Sequence, residues 1–545
     1  MNSKKIILTS ACLLALTTLS SCKLFKEDKV EGEISLSVIW NGLSALQPEN
    51  PDNRVAKIVK EKTGVTLNVK FVDGDENTNL VSMFSVGKNM PDMIMAPYHG
   101  GGDPCSKQIR SAAKANLIQP VDDYLNSVAP NLVDAFSVGV STNFVRNEIN
   151  HKDFKGKKYI IPMHTPANEN EYQNWGYTVY GRKDILNSLG VDPSSIHTSQ
   201  GIYELAKQIK AGNFKDVNGN NIITATTWAN GWSFETYLNS FKRRNFTNVV
   251  DKGDHYEWIS QQPEAQEEVK FMQKFVSEGL FDKEAFSQTQ QRALSKHING
   301  GVGLTSAHYP YIKGQLKNTL YASHPEMEYV PIGPIYDYYG RANMPDTTRE
   351  NGGYNGFAVM MISSNCSNVE LCMKYLNFIN SEEGRRLAYL GEEGVDYTNN
   401  NGQLRMTDSF FNNEKQNPNY RYNQGIDSVY TFGVSRVPFN TFDDAREESV
   451  DQTYRAVKEM YPCQMATGVL ASSFDDDFDD IKKFQNYLGA VDYSKYLTAA
   501  YCADTQEEAL NTLQKYNNAI SAEGVLNDYL GWLYETIGGR TDILF

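Results

Sequence analysis

The order of apolar and polar positions predicts alternating strands and helices in the first part of the chain. Glu33 to Trp40 alternates apolar and polar residues, which is typical of a strand with one buried face. Asp52 to Lys62 carries apolar residues at helical spacing, and Val65 to Phe71 alternates again. A helix around Leu80 to Val86 then leads to an apolar strand over Asp92 to Met95. This order predicts a parallel sheet with crossover helices, so we expect an α/β lobe.

A second set of short strands and amphipathic helices follows, and it predicts a second lobe. The strands are expected at Tyr159 to Pro162, Tyr177 to Tyr180, Val302 to Thr305 and Phe357 to Ile362. The helices are expected at Ile202 to Ile209, Glu264 to Glu278 and Asn368 to Asn380. After about residue 405 the chain is richer in Asn, Asp and Tyr, and we expect helices mixed with long loops.

Length and composition agree with a folded protein of more than one domain. The 545 residues exceed a single domain of roughly 100–200 residues. Hydrophobic residues make up 40% and charged residues 22%, which excludes a disordered, collagen-like or coiled-coil protein. The net charge of −14 argues against a nucleic-acid binder, because phosphate recognition needs a basic surface.

The N-terminus has the pattern of an export signal. Lys4 and Lys5 precede an apolar run, Ile6 to Leu19, that is too short to span a membrane comfortably. Leu19-Ser20-Ser21-Cys22 then resembles a bacterial lipobox. We therefore expect a lipoprotein signal peptide over 1–21, lipidation of Cys22, and a polar tether over 22–32. The lipid would anchor the protein to the cell membrane, with its body facing outside the cytoplasm. The alternative is an ordinary secretory signal with a chance cysteine.

Five further cysteines remain, an odd number without CxxC pairs, so neither a zinc site nor a dense disulfide framework is indicated. Cys366 and Cys372 are close enough in sequence to form a disulfide. Cys372 lies on the apolar face of a predicted helix, however, and we expect buried thiols.

Eight short motifs carry a family resemblance. In chain order they are PDMIM (91–95), LIQPVDDY (117–124), GKKYIIP (156–162), YGRKDIL (180–186), EGLF (278–281), GVGL (301–304), NGFAV (355–359) and SEEG (381–384). Together they resemble the family 1 extracellular solute-binding proteins of ABC importers, in the large carbohydrate-binding lipoprotein subgroup. The resemblance covers residues 33 to about 400.

The resemblance implies an α/β, two-lobed periplasmic-binding-protein-like fold (type II) whose hinge the chain crosses more than once. It implies an N-terminal lobe of residues 33–160 and 351–404 and a C-terminal lobe of 161–350 and 405–545. We expect crossings near Ile160 to His164 and near Asn351 to Gly356. Ligand would bind in the cleft, the lobes of a monomer would close on it, and the importer's membrane subunits would recognise the closed shape.

Sugars present apolar faces ringed by hydroxyls, so their sites need aromatic rings and planar hydrogen-bonding side chains. In open α/β sheets, ligands meet the loops after the strands. This rule indicates Trp40, Asn41, Tyr98 and His99 in the first lobe, and His308 and Tyr309 in the second. Trp175, Trp228 and Trp232 are further candidates, and the resemblance adds Tyr354 and Asn355 near the hinge. Any single aromatic residue is more often part of a core than of a site.

Asp216, Asn218 and Asn220 alternate oxygen ligands as calcium loops do, and the resemblance includes relatives with such a loop. Thr224 and Ala225 stand where carboxylates would be expected, so any calcium would be held weakly. An Asn/Gly turn is the favoured interpretation. We expect no other cofactor.

Two acidic segments are interpreted as structural. Asp475 to Asp480 is expected to be a solvated helix start, and Asp73 to Asn77 a loop leading into a helix.

Motifs of proteases, hydrolases and nucleotide-binding proteins are absent from the sequence. A glycosidase needs only two carboxylates, which 66 acidic residues do not exclude.

The sequence therefore favours a receptor that binds an oligosaccharide and hands it to an ABC transporter, without enzymatic activity. A receptor for a peptide or another non-sugar solute is the alternative. A surface glycan-processing enzyme is a weaker one and would show facing carboxylates in a cleft. A purely structural surface lipoprotein would show no cleft.

Overall fold

The structure, a computed structural model, covers most of the chain beyond the tether. The described residues are 32–40, 52–98, 103–137, 148–168, 171, 177–228, 234–243, 248–307, 309–317, 319–342, 358–417, 419–446, 452–461 and 469–544. The predicted signal peptide, Cys22 and the return crossing near Asn351 to Gly356 lie outside them.

The strands and α-helices alternate in two series, as the hydrophobic pattern predicts. The strands are β1 (Glu33–Ile39), β2 (Thr66–Val72), β3 (Met93–Pro97), β4 (Ile118–Gln119), β5 (Ile161–Met163), β6 (Thr165–Pro166), β7 (Thr178–Arg182), β8 (Ile223–Thr227), β9 (Val249–Asp251), β10 (Tyr256–Trp258), β11 (Val302–Ala307), β12 (Tyr329–Ile332), β13 (Ala358–Ser363), β14 (Tyr397–Asn400), β15 (Gln403–Met406), β16 (Arg436–Val437), β17 (Val469–Leu470) and β18 (Ile543–Leu544).

The helices are α1 (Arg54–Thr63), α2 (Glu76–Val86), α3 (Pro104–Lys114), α4 (Asp122–Leu125), α5 (Lys183–Leu189), α6 (Ser199–Gly212), α7 (Pro263–Ser277), α8 (Gln290–His297), α9 (Tyr309–Leu316), α10 (Leu320–Ser323), α11 (Val369–Ile379), α12 (Glu382–Leu390), α13 (Asp408–Gln416), α14 (Tyr420–Gln424), α15 (Phe439–Arg446), α16 (Gln452–Met460), α17 (Ile481–Ala490), α18 (Tyr493–Tyr501), α19 (Gln506–Ser521) and α20 (Val525–Ile537). Among the described residues, no helix combines the length and apolar character needed to cross a bilayer.

The first sheet has six strands in the order β2-β1-β3-β13-β4, with β5 paired to β13. Strands β1, β2 and β3 are parallel, and β13 runs antiparallel to β3. Successive residues of β3 enter different cores, since Met93 and Met95 pack on one face while Ile94 and Ala96 pack on the other. Both faces are therefore covered, as expected for a sheet with crossover helices.

The second sheet has four strands in the order β12-β7-β11-β8. Strands β11 and β8 are parallel, whereas β7 runs antiparallel to both β11 and β12. Apolar residues of α6 and α7 pack on this sheet, with Ile202, Ile209, Met272 and Phe275 fully buried. The two lobes thus have the mixed α/β architecture of a periplasmic-binding-protein-like fold.

The C-terminal helices α17 to α20 form a separate core with β9 and β10. They attach to the second lobe through α7, because the Tyr501 hydroxyl donates to Glu268 at 2.6 Å. In addition, Gln273 Nε2 donates to the Ala503 carbonyl at 3.1 Å. The acidic run Asp475 to Asp480 precedes α17 as predicted, but Asp480, its N-cap residue, makes no side-chain capping hydrogen bond, and Asp475 Oδ1 accepts from the Tyr529 hydroxyl at 2.8 Å.

The segment after residue 404 differs from the expected division into lobes. Met406, Phe410, Phe432 and Phe442 are buried in the core of the first lobe, together with Leu36 of β1. Among the residues whose burial the structure describes, the next buried one in chain order is Val457, which packs in the second lobe. Residues 405–445 were expected in the C-terminal lobe, but their apolar side chains complete the first core. We propose that the lobe boundary lies between 445 and 457.

The described cysteines agree with the expectation of buried thiols. Cys105, Cys366 and Cys372 are buried, Cys502 is half-buried, and all four are thiols. The Sγ atoms of Cys366 and Cys372 are 3.5 Å apart without a bond between them.

Candidate ligand-binding cleft

One edge of the first sheet collects the ends of three strands and the start of a fourth. Pro97 at the end of β3 and Met163 at the end of β5 both lie opposite Ala358, the first residue of β13. The parallel strand β1 ends at the same edge, because Val38 lies opposite Met95. The candidate residues Trp40 and Tyr98 directly follow β1 and β3 at this edge.

The corresponding edge of the second sheet is built in the same way. Strands β8 and β11 both end there, since Thr227 lies opposite Ser306. Ala307 lies opposite Thr178, so the antiparallel strand β7 begins at this edge. Strand β12 ends there too, because Ile332 lies opposite Val179.

Three chain segments connect these two edges. The first runs from β5 through β6 to the start of β7, and the second from the end of β12 to the start of β13. The third leaves the first lobe through β16 and α15 and reaches the second lobe at α16. Because each connection joins one strand-end edge to the other, we infer that the two edges lie toward each other across an interlobe cleft.

The hinge of this cleft contains a short parallel pair, β6 with β16. Thr165 lies opposite Arg436, and the Thr165 amide donates to the Ser435 carbonyl at 2.7 Å. The Arg436 guanidinium is buried and donates to the carbonyls of Asp134 at 2.8 Å and Pro166 at 3.2 Å. Burial lowers the pKa of Arg436. The first crossing was predicted near Ile160 to His164, whereas the crossing through β16 was not predicted.

Aromatic side chains gather at the strand-end edge of the second sheet. Trp228 follows β8, Tyr309 follows β11 and Tyr177 precedes β7, and all three belong to one cluster with exposures of 6–7%. Tyr461, which follows α16, completes it: its hydroxyl accepts from the Ile335 amide at 2.9 Å and lies 3.2 Å from Thr178 Oγ1. The arrangement provides aromatic surface and hydroxyls in one place.

Sequence reasoning found part of this cluster. Tyr309 was predicted because it follows a strand, whereas Trp228 was predicted from its spacing of four from Trp232, which would place both on one helical face. Tyr177 was missed, although an antiparallel strand beginning at the same edge would have indicated it. Tyr461 lies on a segment for which the sequence carries no such signal.

The first lobe presents its candidate aromatics differently. Trp40 is half-buried against the first core. Tyr98 has no exposed surface, and its hydroxyl donates to Glu148 Oε2 at 2.9 Å. Arg110 lies 3.5 Å from the same carboxylate, and burial raises the pKa of Tyr98 well above its usual value. The prediction that Tyr98 contacts ligand is therefore not supported by this conformation, because its ring belongs to the core under α3.

Seven of the predicted site residues lie outside the described residues, and their positions stay predictions. They are Asn41, His99, Trp175, Trp232, His308, Tyr354 and Asn355.

The loop containing Asp216 is a self-bonded turn. Asp216 Oδ1 accepts from the amides of Asn218 at 2.9 Å and Asn220 at 2.8 Å, and Oδ2 accepts from the Asn220 side chain at 3.1 Å. The Asn220 amide group thus turns a donor toward the carboxylate. Thr224 and Ala225 lie in β8 and add no carboxylate. No group of three or more metal-ligating acidic, His or Cys side chains occurs in the described part of the chain. With one carboxylate whose oxygens accept from Asn218 and Asn220, the loop does not fit calcium.

The chain belongs to the family of bacterial extracellular solute-binding proteins, whose family model matches residues 48–386. The recognised family is therefore confirmed, and its members are binding proteins rather than enzymes. No curated protein sequence matches the chain significantly.

Solved structures of sugar-binding receptors share the fold at low sequence identity. The alginate-binding protein AlgQ2 is 16% identical with a TM-score of 0.61, over 92% of this chain and 98% of that one. FusA of S. pneumoniae, solved with fructo-nystose, is 16% identical with a TM-score of 0.62 over the same shares. An HMO-binding protein of Bifidobacterium longum infantis is 15% identical with a TM-score of 0.60, again over 92% and 98%. These similarities establish the two-lobed fold.

Proposed function

We propose that the protein is a lipid-anchored receptor that captures an oligosaccharide in the interlobe cleft and delivers it to the membrane subunits of an ABC importer. The observation that carries the proposal is the aromatic cluster of Trp228, Tyr309, Tyr177 and Tyr461 at the edge that borders the cleft. The solved structures that share this fold are named for the binding of alginate, fructo-nystose and HMO, and they support a saccharide as the ligand.

The cluster suits a sugar better than a charged metabolite. Aromatic rings stack against the apolar faces of sugar rings, and tyrosine hydroxyls as a class can both donate to and accept from sugar hydroxyls. The rings are less than a tenth exposed in this conformation, so ligand contact with them requires a movement that uncovers them. Closure then couples contacts on both edges to one rigid-body movement, which favours the closed state with ligand.

Membrane attachment is proposed from the sequence. Cleavage before Cys22 and acylation of that residue would tether the body through the polar segment 22–32. Mass spectrometry of the membrane fraction tests this step: a lipid adduct on Cys22 is expected, and an unmodified cysteine would contradict it.

The ligand is tested by thermal unfolding of residues 23–545 with alginate oligosaccharides, nystose, human-milk oligosaccharides and high-mannose glycans. Ligand at 100 times its Kd adds about 2.7 kcal/mol, which raises the midpoint by several degrees. We expect a shift with one glycan class. Trp228→Ala should remove the shift, measured against the variant's own ligand-free midpoint, whereas Val133→Ala, on the surface of the first lobe, should keep it. A shift with peptides and with no sugar would contradict the proposal.

A further inference from the structure

Two adjacent tyrosines stand apart from the other aromatic side chains of the structure. Tyr338 and Tyr339 are 45% and 55% exposed, and no other Phe, Tyr or Trp side chain whose burial the structure describes is as exposed. Exposed aromatic rings lose the free energy that burial would give, about 25 cal/mol per Å² of apolar surface. Two of them side by side therefore indicate a surface that contacts something else.

The two rings are held in fixed positions by charged neighbours. Their centroids are 5.3 Å apart and their planes are at 88°. The Arg243 guanidinium lies 4.7 Å from the Tyr338 centroid, and Arg243 donates to Glu264 at 2.6 Å. The Arg341 guanidinium lies 4.9 Å from the Tyr339 centroid. Each ring thus has one face against a cation, which leaves the exposure to its other face and edge.

A tight turn fixes the backbone beneath the rings. Asp337 Oδ1 accepts from the amides of Tyr339 at 3.0 Å and Arg341 at 2.8 Å, while Oδ2 accepts from Arg341 Nε at 2.9 Å. Both tyrosines therefore begin any contact with little conformational freedom left to lose, which favours binding.

This turn lies beside the strand-end edge of the second sheet. It follows β12, which ends at that edge, and the Tyr338 amide donates to the Lys242 carbonyl at 3.0 Å. Lys242 comes directly after the helical turn Phe234–Phe241, in which Thr236 Oγ1 donates to Ser306 Oγ of β11 at 2.7 Å. The same edge carries the aromatic cluster of the cleft.

We propose that Tyr338 and Tyr339 form a second carbohydrate-binding subsite at the rim of the cleft, which holds a sugar unit of a glycan too long to fit inside. The inference rests on the proposed function. The open ring faces would stack on the apolar faces of a sugar, and Arg341, whose side chain is 51% exposed, would donate to its hydroxyls beside the ring edge. The carboxylates of Glu264 and Asp337 balance the Arg243 and Arg341 cations, so the subsite fits a neutral sugar unit.

The surroundings favour a glycan over a protein partner. A stable protein interface buries about 800 Å² per partner around an apolar centre. Here two rings lie among Arg243, Arg341, Asp337 and Glu264, and residues 337–342 add no further exposed apolar side chain. Small aromatic faces bordered by hydrogen-bonding groups match the alternating apolar and hydroxyl surface of a sugar chain.

Affinity electrophoresis of residues 23–545 in gels containing inulin, mannan, alginate or dextran tests the subsite. We expect at least one polysaccharide to retard the protein, and the variant Y338A/Y339A to bind that polysaccharide at least about tenfold more weakly. Y338F/Y339F keeps both rings and should be retarded like the wild type. V217A, which alters an exposed apolar residue elsewhere on the second lobe, is the matched control and should also be unchanged.

Three results would overturn the subsite. They are equal retardation of Y338A/Y339A and wild type, equal loss in the alanine and phenylalanine pairs, and no retardation of the wild type by any polysaccharide. Thermal unfolding with nystose and other short glycans separates this inference from the proposed function. A short glycan that stabilises wild type and Y338A/Y339A equally leaves the cleft receptor intact, whatever the gels show.

Discussion

A buried ionisable side chain makes the free energy of unfolding depend on pH, and His297 is such a residue. His297 is 3% exposed, with Nδ1 2.7 Å from the Ala293 carbonyl and Nε2 2.9 Å from Thr305 Oγ1. A neutral ring satisfies both contacts, by donating from Nδ1 and accepting at Nε2. Burial lowers the pKa of His297 to about 4, and Lys296 adds to the shift.

This shift predicts a loss of stability in mild acid. The unfolded histidine gains a proton below a pKa of about 6.5, whereas the folded one stays neutral until about pH 4. Stability is thus fully present above pH 6.5 and falls as the pH drops toward 4. Between pH 7.5 and 5.5 we expect His297 to account for about 1.4 kcal/mol of the loss. Urea unfolding of wild type and His297→Gln at both pH values measures it, and equal losses in the two proteins would contradict the assignment.

Tyr98 shows how the same strand-end position serves packing rather than binding. It follows β3 as predicted for a ligand residue, yet its side chain enters the core between the first sheet and α3. The strand-end rule locates a backbone position, and the direction of the side chain depends on strand register, which single-sequence patterns do not specify.

Tyr98→Phe is therefore expected to affect stability and not ligand affinity. The change leaves the Glu148 carboxylate without its hydroxyl donor, and we expect a loss of about 1–3 kcal/mol in the free energy of unfolding. Chemical denaturation and calorimetric titration of the same preparation separate the two quantities. A Kd that rises tenfold at unchanged stability would return Tyr98 to the binding site.

At the scale of elements, most predicted strands and helices are present within a few residues. The helix predicted at Asn368 to Asn380 is α11, for which Asn368 caps the start by accepting from the Leu371 amide at 3.0 Å. The loop Asp73 to Asn77 leads into α2, where Asp75 accepts from the Thr78 amide at 2.7 Å. Periodicity and capping are local, so sequence alone indicates them.

The turn at Asp216 is an element whose chemistry the sequence left open between calcium and a simple turn. Its side chains bond to one another, and Asp216 supplies the single carboxylate of the loop Asp216 to Asn221. A divalent cation needs more negative oxygen ligands than this loop offers.

We therefore expect calcium to leave the protein's stability unchanged. Thermal unfolding in millimolar Ca²⁺ and in EDTA should give the same midpoint, since a ligand that does not bind the folded state adds no free energy. A rise of several degrees with Ca²⁺ that Asp216→Asn abolishes would contradict this expectation.

At the scale of the whole molecule, long-range packing decided what the sequence did not indicate. Phe410 and Phe432 join the first core although they follow the predicted boundary by 5 and 27 residues. The chain must therefore cross between the lobes a third time after them. The family resemblance fades after about residue 400, and no local pattern distinguishes a helix of one lobe from a helix of the other. Two members of the aromatic cluster at the cleft, Trp228 and Tyr309, were predicted. Tyr177 and Tyr461 were not, because the sequence did not show which strand and helix ends meet at that edge.

The C-terminal helices also touch the first lobe away from the hinge. Lys107 Nζ donates to Gln485 Oε1 at 2.5 Å, and Lys152 pairs with Asp477 of the acidic run. The side chains of Lys152 and Asp477 are 59% and 56% exposed, so water and salt screen their attraction.

This ion pair is expected to hold the lobes only weakly. A double-mutant cycle with Lys152→Ala and Asp477→Ala should give a coupling energy below about 1 kcal/mol, which decreases further in 1 M salt. A coupling well above about 2 kcal/mol would show instead that the pair fixes the lobes against each other.

The central claim, reversible capture of an oligosaccharide in the interlobe cleft, is tested most directly by calorimetric titration with the glycan that shifts thermal unfolding. The account predicts saturable binding of one glycan per chain, its loss in Trp228→Ala, and recovery of the sugar intact after denaturation. Recovery of cleaved sugar would identify an enzyme, and binding that Trp228→Ala leaves unchanged would place the ligand elsewhere on the molecule.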